Sequence, residues 1–244
     1  MPRLSSMPRR LRALIPGIPT HIVQRGNNRL RCFFSDNDRR FYLAQLDEMS
    51  REYKCPVHAY VLMDNHVHLL ATPSTPHGLS EMMKQLGQRF AQFINRVHRR
   101  TGALWEGRFF SSVVDSGSYL FTCYRYIELN PVRARIVQRP EDFVWSSYRT
   151  NANGEESTIV TPHPQYLALA EDADDRRRSY RLLFEMSLDH GASDEIRKMA
   201  RGGYAFGSDG FKERMTALSG RPMSPQKRGP KKACPETHGF GSDP

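Results

Sequence analysis

The stretch PVHAYVLMDNHVHLLATP, residues 56–73, decides the fold because its pattern predicts two strands joined by a tight turn. Apolar residues dominate both halves, and the Asp64-Asn65 pair between them tolerates the positive φ that hairpin turns require. Residues two apart in a strand point to the same face. The stretch therefore predicts a β-hairpin on which His66 and His68 present two imidazoles side by side.

The rest of the first 155 residues divides into strands with alternating apolar side chains and helices with apolar side chains three and four apart. The predicted elements are, in chain order, a strand at 20–26, a helix from Asp36 or Asp38, the hairpin, a helix at 79–100, a strand at 107–116 and a helix from Ser116 or Ser118 to about Asn130. The order β, α, β, β, α, β, α predicts an α+β fold with a ferredoxin-like antiparallel sheet and helices on one face.

The character of the sequence changes after residue 155. Residues 156–220 are polar and have helical periodicity, which predicts a small helical appendage behind the domain at 1–155. Pro, Gly and Lys dominate residues 221–244, a composition typical of a basic tail that is disordered when free. We therefore expect three parts: a domain, an appendage and a tail.

The net charge of +10 over 244 residues is unevenly spread. Residues 1–40 hold nine arginines against two acids, and residues 84–139 hold ten basic residues against three acids. These two basic blocks flank the histidine pair and favour a polyanionic partner, most simply nucleic acid, over a surface that is merely basic. The sequence has no apolar run long enough for a membrane span, and its four scattered cysteines favour a cytoplasmic location over a disulfide scaffold or zinc ribbon.

The segment YRYIELNP, residues 124–131, gives the histidine pair a chemical context. Tyr126 and Asn130 are four apart and share a face of the predicted helix. Imidazole nitrogens and an amide oxygen are donors for a divalent metal such as Mg²⁺ or Mn²⁺, and a tyrosine beside a metal-held phosphate is a plausible nucleophile. Surface histidines, an ordinary helix aromatic and a helix-ending Asn are the alternatives, and spacing alone does not separate Tyr126 from Tyr124.

Five motifs carry a resemblance to a known family: HIVQRGNNR, HAYVLMDNHVHLL, LWEGRF, RYIELNPVRA and WSSYR. NHVHLL resembles the His-hydrophobic-His motif of single-tyrosine HUH transposases. The ordered set, over about residues 8–150, is similar to the REP-associated tyrosine transposases of the insertion-sequence type. The resemblance implies an HUH endonuclease fold and an enzyme that cleaves and rejoins single-stranded DNA near hairpins through a 5′-phosphotyrosine, using Mg²⁺ or Mn²⁺.

The resemblance also implies roles for individual residues. Tyr126 opens the Tyr-Ile-x-x-Asn-Pro motif and matches the family's nucleophile, which Tyr124 does not. The implied metal ligands are His66, His68 and Asn130. Such relatives act as monomers or as homodimers that share active sites, so both states are open.

One departure from the family pattern is Phe110, where relatives carry a lysine. This difference keeps a second hypothesis open, a domesticated protein that binds DNA hairpins without cutting them. A third hypothesis is an RNA-binding module, because the same layout of sheet and helices also serves in RNA recognition.

Several basic and polar residues are candidates for DNA contacts. Arg25 and Asn27 adjoin the end of the first strand and can bind a phosphate or a base edge, although a solvated loop explains them as well. Arg108 follows Trp105 closely and offers a cation beside a stacking surface, unless the aromatics there are core. The basic run KRGPKK resembles an arm that tracks phosphates, or it only aids solubility; its candidates are Lys227, Arg228, Lys231 and Lys232.

Three further histidines receive structural interpretations. His58 is two residues before Tyr60 on the first hairpin strand, where a core role is favoured over orienting a ligand imidazole. His21 and His98 are predicted to be structural.

Overall fold

The computed structural model describes residues 12–185 and 190–226. Its strands are β1 (Thr20–Arg25), β2 (Val57–Met63), β3 (His66–Ala71) and β4 (Phe110–Val113). Its helices are α1 (Asp36–Glu52), α2 (Gly78–Val97), α3 (Ser118–Glu128), α4 (Asn130–Arg133), α5 (Pro164–Leu167), α6 (Ala173–Glu185), α7 (His190–Gly202) and α8 (Asp209–Ser219). None of the helices in these ranges is both long and apolar enough to cross a bilayer.

The four strands form one antiparallel sheet in the order β2-β3-β1-β4. The chain passes through α1 between β1 and β2, and through α2 between β3 and β4, as in a ferredoxin-like fold. The turn at Asp64-Asn65 joins β2 to β3. The predicted α+β class, the hairpin and the order of elements are confirmed.

The first face of the sheet, covered by α1 and α2, is an apolar core. Ile22, Leu62 and Leu69 point from the strands into this core and are fully buried. Phe33 and Phe90 pack there with ring centroids 5.0 Å apart. Each such buried side chain contributes about 1.5–3 kcal/mol relative to exposure, so this layer stabilises the domain.

The helix α1 begins with a capping box at Ser35. The Ser35 hydroxyl accepts a hydrogen bond from the Asp38 N–H, and the Asp38 carboxylate accepts one of 2.9 Å from the Ser35 N–H. The N-cap residue of α1 is therefore Ser35 and not the predicted Asp36 or Asp38. Asp38 occupies the third helical position of the capping box. His98, at the end of α2, lies 3.0 Å from the same carboxylate and joins the two helices.

Helices also cover the second face of the sheet, which corrects the prediction of helices on one face. The helix α3 packs against β2 and β3, and α7 packs against β4. Val61, Leu70 and Ile127 are among the residues buried in this second core. The physical reason lies in β2, whose seven residues are all buried, so apolar side chains on both faces need a cover.

The segment 156–220, expected as an appendage, supplies much of the cover of this second face. Its residues in the core are Tyr166, Tyr180, Ile196, Met199 and Phe206. Buried Glu128, the last residue of α3, accepts hydrogen bonds from Ser147 (2.5 Å), Asn151 (2.8 Å) and Tyr180 (2.7 Å). Burial raises the pKa of Glu128 to about 7. These bonds attach α3 to the C-terminal half of the described chain.

The helix α3 ends at Glu128, two residues before the predicted end. Asn130 then begins the short α4, with Pro131 in its first turn. Proline suits this position because its missing N–H has no acceptor in a first helical turn. Tyr126 and Asn130 therefore lie on two consecutive helices, not on one as predicted.

Candidate active site

Alternation along the strands places several polar side chains together on the second face. In the sheet register, Arg25 of β1 lies opposite His66, and Val23 lies between His68 of β3 and Phe110 of β4. All five residues line one cavity of about 400 Å³. The His-x-His spacing therefore has the predicted consequence, two imidazoles on one face.

The α3–α4 junction brings Tyr126 and Asn130 to the same cavity. The Tyr126 ring is buried and stands nearly perpendicular to the His68 ring, at a centroid distance of 5.5 Å. The Asn130 side chain interacts with the His66 ring, and both line the cavity. One chain thus brings together the four residues singled out in the sequence as nucleophile and metal ligands.

His21 also belongs to this cavity, although only a structural role was predicted for it. Its Nε2 lies 2.8 Å from His68 Nδ1, and the two rings stack at 5.1 Å. If His68 Nδ1 donates its proton to His21, then His68 Nε2 keeps a lone pair for a ligand. A sequence signal for His21 was available. His21 is two residues before Val23 and so shares its face of β1, and pairing with β3 places that face on the same side of the sheet as His66 and His68.

His21 and His68 are buried and His66 is half-buried, and all three imidazoles are neutral at pH 7. Burial lowers the pKa of His66 to about 4, with a further contribution from the charge of Arg25. Burial lowers the pKa of His21 to about 3 and brings that of His68 well below its ordinary value. Neutral imidazole is the form that binds a metal, so the histidine pair is ready to act as a ligand pair.

The donors in the cavity fit a divalent metal. His66 Nδ1 lies 2.6 Å from the Asn65 side-chain oxygen, and His68 Nδ1 is engaged by His21, so Nε2 is the atom of each ring that remains for a ligand. Among residues 12–185 and 190–226, no three His, Cys, Asp or Glu side chains group as a metal site. The third protein donor would be the Asn130 oxygen, with water and phosphate oxygens completing a shell suited to Mg²⁺ or Mn²⁺.

The charge lining the cavity is strongly positive. Five arginines line the cavity together with one acidic residue, Glu106. Sequence analysis selected only one of these arginines, Arg25. The arginines are Arg25, Arg29, Arg133, Arg197 and Arg201. The pair on α7 was visible as two arginines four apart in a predicted helix, but nothing in the sequence placed that helix beside Tyr126.

The other sequence candidates lie outside this cavity. Asn27 is half-buried, and its backbone N–H donates to the Leu104 carbonyl at 2.8 Å. Arg108 is exposed and lines a neighbouring cavity of about 230 Å³ with Arg12 and Phe109. Lys227, Arg228, Lys231 and Lys232 lie outside the described residues.

His58 and Trp105 have structural roles. For each of them the sequence analysis had weighed such a role against a functional one. The two ring nitrogens of His58 lie 2.7 Å from the Thr161 carbonyl and 2.9 Å from the Thr72 hydroxyl. The Trp105 indole N–H donates to the Gly87 carbonyl at 3.0 Å, and its ring packs against the first core. Both side chains serve the packing of the fold.

Comparison with known families identifies the domain. Residues 15–130 match the family described as Transposase IS200 like, a span that contains both histidines of the pair, Tyr126 and Asn130. Residues 15–130 belong to the IS200-like transposases. The match stops at the first residue of α4, so most of α4 and all of α5–α8 lie beyond this transposase segment.

One solved structure supports the fold of this transposase domain. A REP-associated tyrosine transposase bound to a REP hairpin is 18% identical with a TM-score of 0.51, over 65% of this chain and 92% of that chain. A proposed transposase from Deinococcus radiodurans is 16% identical with a TM-score of 0.35, over 55% of this chain and 96% of that chain. The search among curated proteins found no match.

Proposed function

We propose that this transposase cleaves and rejoins single-stranded DNA near hairpin elements, through a 5′-phosphotyrosine on Tyr126 and with a divalent metal ion. The observation that carries the proposal is that Tyr126, His66, His68 and Asn130 line one cavity of a single chain. The structurally similar REP-associated transposase is bound to a REP hairpin, which supports hairpin DNA as the substrate class. The buried free thiols Cys32, Cys55 and Cys123 fit a reaction in the cytoplasm.

The proposed chemistry is a transesterification at phosphorus. The phenolic oxygen of Tyr126 attacks a DNA phosphodiester, the bond from phosphorus to the 3′ oxygen breaks, and a 5′-phosphotyrosine and a 3′ hydroxyl result. The phenol proton passes to solvent, and the leaving 3′ oxygen takes up a proton from solvent. Rejoining reverses the step, with the 3′ hydroxyl of another strand as the attacking group.

Protein groups around Tyr126 would position the reactants. His66, His68 and Asn130 would hold Mg²⁺ or Mn²⁺, which when bound polarises a phosphoryl oxygen and stabilises the charge that develops on it. The cationic side chains of the cavity would attract the DNA backbone, since phosphate contacts dominate the affinity of proteins for nucleic acids.

We propose a monomer as the active unit. The Tyr126 ring lies against His68 of its own chain, so one subunit holds the nucleophile and the ligand set together. The alternative, a homodimer with shared sites, would require α3 to leave this position. Mixing Tyr126→Phe protein with His68→Ala protein tests the two states, because only shared sites restore activity in the mixture.

A DNA-hairpin-binding protein that does not cut is the second candidate function. Phe110, in place of the lysine of relatives, lines the cavity and supplies no charge there. The trapping experiment below separates this candidate from the enzyme.

The decisive experiment is covalent trapping. Purified protein is incubated with a labelled library of single-stranded hairpin DNA and Mn²⁺ or Mg²⁺, and label that stays with the denatured protein is measured. We expect an adduct with the wild type and its loss with Tyr126→Phe, by a factor on the order of 10⁶, as for other removed nucleophiles. Peptide mapping of the adduct identifies the labelled tyrosine.

Tyr124→Phe is the matched control. Tyr124 is fully buried against Tyr180, and its ring does not line the cavity, so this variant should form the adduct at the wild-type rate. Loss of label with Tyr124→Phe and not with Tyr126→Phe would refute the assignment of the nucleophile. Hairpin binding without any adduct would support the binding protein instead.

A further inference from the structure

Arg133 of α4 contacts Tyr126 in a way that leaves part of its guanidinium unused. Its Nη2 donates to the Tyr126 backbone carbonyl at 2.7 Å, and the guanidinium carbon lies 4.3 Å from the centre of the Tyr126 ring. Its Nε and Nη1 are buried without a hydrogen-bond partner. Buried unpaired donors are costly, so these two N–H groups call for an acceptor that the described chain does not supply.

Arg197 of α7 lines the same cavity as Arg133 and Tyr126. Its charge interacts with the Tyr126 side chain, and its guanidinium forms an ion pair of 2.7 Å with Asp194. The buried residues Ile196 and Met199 anchor this helix in the second core. Arg197 is therefore held on a packed element and does not depend on a loop for its position.

The two guanidinium groups repel one another across the cavity. Burial lowers the pKa of Arg133 to about 10, and the charge of Arg197 contributes to that shift, yet both groups stay charged at pH 7. An anion that both can contact removes the repulsion and fills the unused donors of Arg133. A phosphodiester matches the planar pair of N–H groups of an arginine.

We propose that Arg133 and Arg197 form an anion site beside Tyr126 that receives the scissile phosphodiester of single-stranded DNA. The helix α7, which lies beyond the segment matched by the family, thereby completes the active site. The inference rests on the proposed function, since it names the groups that hold the phosphate beside Tyr126. In this role Arg197 also orients the attacking oxygen of Tyr126.

The test measures binding in a protein that cannot react. A single-stranded hairpin DNA that binds the protein is first selected from the hairpin library. Tyr126→Phe protein is titrated with this DNA, and then with copies in which one phosphodiester linkage at a time is replaced by a neutral methylphosphonate. We expect one linkage whose neutralisation weakens binding about tenfold, the lower range for a hydrogen bond to a charged group. In Tyr126→Phe/Arg133→Gln protein, neutralising that same linkage should weaken binding clearly less, because only Arg197 is left to contact it.

Rates of adduct formation give the second readout, with Tyr126 intact. Arg133→Gln should lower the rate about 10²-fold, as loss of one preorganised donor to a developing oxyanion does. The rate of Arg133→Lys should lie between those of the wild type and Arg133→Gln, because lysine keeps the charge and lacks the paired N–H groups. Arg197→Gln should lower the rate about tenfold, within the effect of a single charged hydrogen bond.

Arg51→Gln is the matched control for charge. Arg51 lies on α1, is exposed and pairs with Asp47 at 2.7 Å. The substitution therefore removes one positive charge far from the cavity. Equal effects of Arg51→Gln and Arg133→Gln would overturn the proposal. A methylphosphonate effect that is unchanged by removal of Arg133 would do so as well.

The outcomes also separate this inference from the proposed function. If the wild type forms no adduct but the methylphosphonate effect depends on Arg133, the phosphate site stands and the cleavage chemistry fails. If the adduct forms and neither arginine changes its rate, the cleavage chemistry stands and the phosphate site fails. Thermal unfolding of each variant checks that Arg133→Gln is folded, and Arg197→Gln provides the test on a more exposed side chain if it is not.

Discussion

The two faces of the sheet are built on opposite principles. The first face meets α1 and α2 through apolar side chains, and its polar contacts are capping and ion-pair contacts such as those of Asp38. The second face carries a row of histidines on β1 and β3 that points into a cavity, and the cover around that cavity comes from α3, α4 and α7. The first face stabilises the domain, whereas the second holds reactive groups in place.

This difference shows why the chain extends beyond the transposase segment. A cavity with neutral imidazoles and several guanidinium groups contributes little hydrophobic stabilisation of its own. The surrounding second core supplies that stabilisation, with Tyr180 and Met199 from the C-terminal helices packed beside residues of α3. The C-terminal segment therefore serves both packing and, through Arg197, the site.

The largest expected effect on stability and activity together comes from breaking the polar contacts of the second core. Glu128→Ala removes one acceptor from Ser147, Asn151 and Tyr180, three buried donors. An unsatisfied buried donor costs about 1–3 kcal/mol, so we expect a loss of about 3 kcal/mol in the free energy of unfolding after partial relaxation. Urea denaturation measures this loss, and the rate of adduct formation should fall too, since α3 carries Tyr126.

Leu46→Ala makes the corresponding break in the first core. Leu46 of α1 is fully buried, and its truncation should cost about 2–5 kcal/mol. Below the unfolding transition, the rate of adduct formation should stay close to that of the wild type. A fall in rate as large as that of Glu128→Ala, with both proteins folded, would contradict the division of labour between the faces.

A smaller effect concerns the order in which metal and DNA bind. The cavity has five arginines and one glutamate, and its implied metal donors are all neutral, so a divalent cation alone meets a positive potential. A DNA phosphate reverses that potential. We expect single-stranded hairpin DNA to tighten Mn²⁺ binding to Tyr126→Phe protein about tenfold, a coupling of about 1.4 kcal/mol, measured by titration calorimetry.

Reciprocity supplies the internal check on this coupling. Mn²⁺ should tighten DNA binding by the same factor, because a coupling free energy is shared by both ligands. His66→Ala/His68→Ala protein is the control and should bind DNA with no response to Mn²⁺. Mn²⁺ affinities that are equal with and without DNA would show that the arginines do not govern metal binding.

Periodicity was sufficient to predict most of the fold. Strand alternation, apolar spacing in α1–α3 and the Asp64-Asn65 turn are local signals, and each predicted element exists. The prediction of helices on one face failed because nothing local says which helix covers which side. The signal available was the unbroken apolar run of β2, whose residues on both faces needed burial.

The candidate site was predictable only as far as its motifs reach. His66 and His68 share a face by strand geometry, and the motif that begins at Tyr126 selected that residue over Tyr124. His21 and Arg197 were missed because they approach the site through strand pairing and helix docking, across 47 residues from His68 in the first case. Contacts of that kind have no spacing rule in the sequence.

An effect of similar size isolates a polar contact of the first face. Burial would raise the pKa of Asp38, yet hydrogen bonds from His98 and from the N–H groups of Phe34 and Ser35 hold it below its ordinary value. A carboxylate with a lowered pKa adds stability above its unfolded pKa of about 3.8, and that stability is lost as the pH falls through the lowered value. Asp38→Asn should therefore cost about 1–2 kcal/mol at pH 7, with the difference from wild type shrinking below pH 3.8.

Asp36→Asn is the matched control, because it neutralises an exposed carboxylate on the same helix as Asp38. Asp36 is exposed and lies 3.6 Å from Arg39, so its replacement should change the free energy of unfolding by less than about 0.5 kcal/mol. Both variants should form the covalent adduct at the wild-type rate, because neither side chain lines the cavity. A constant difference between Asp38→Asn and the wild type from pH 7 to pH 2 would mean that shape, not charge, accounts for the contact. A slower adduct with either variant would mean that the two faces of the sheet are coupled.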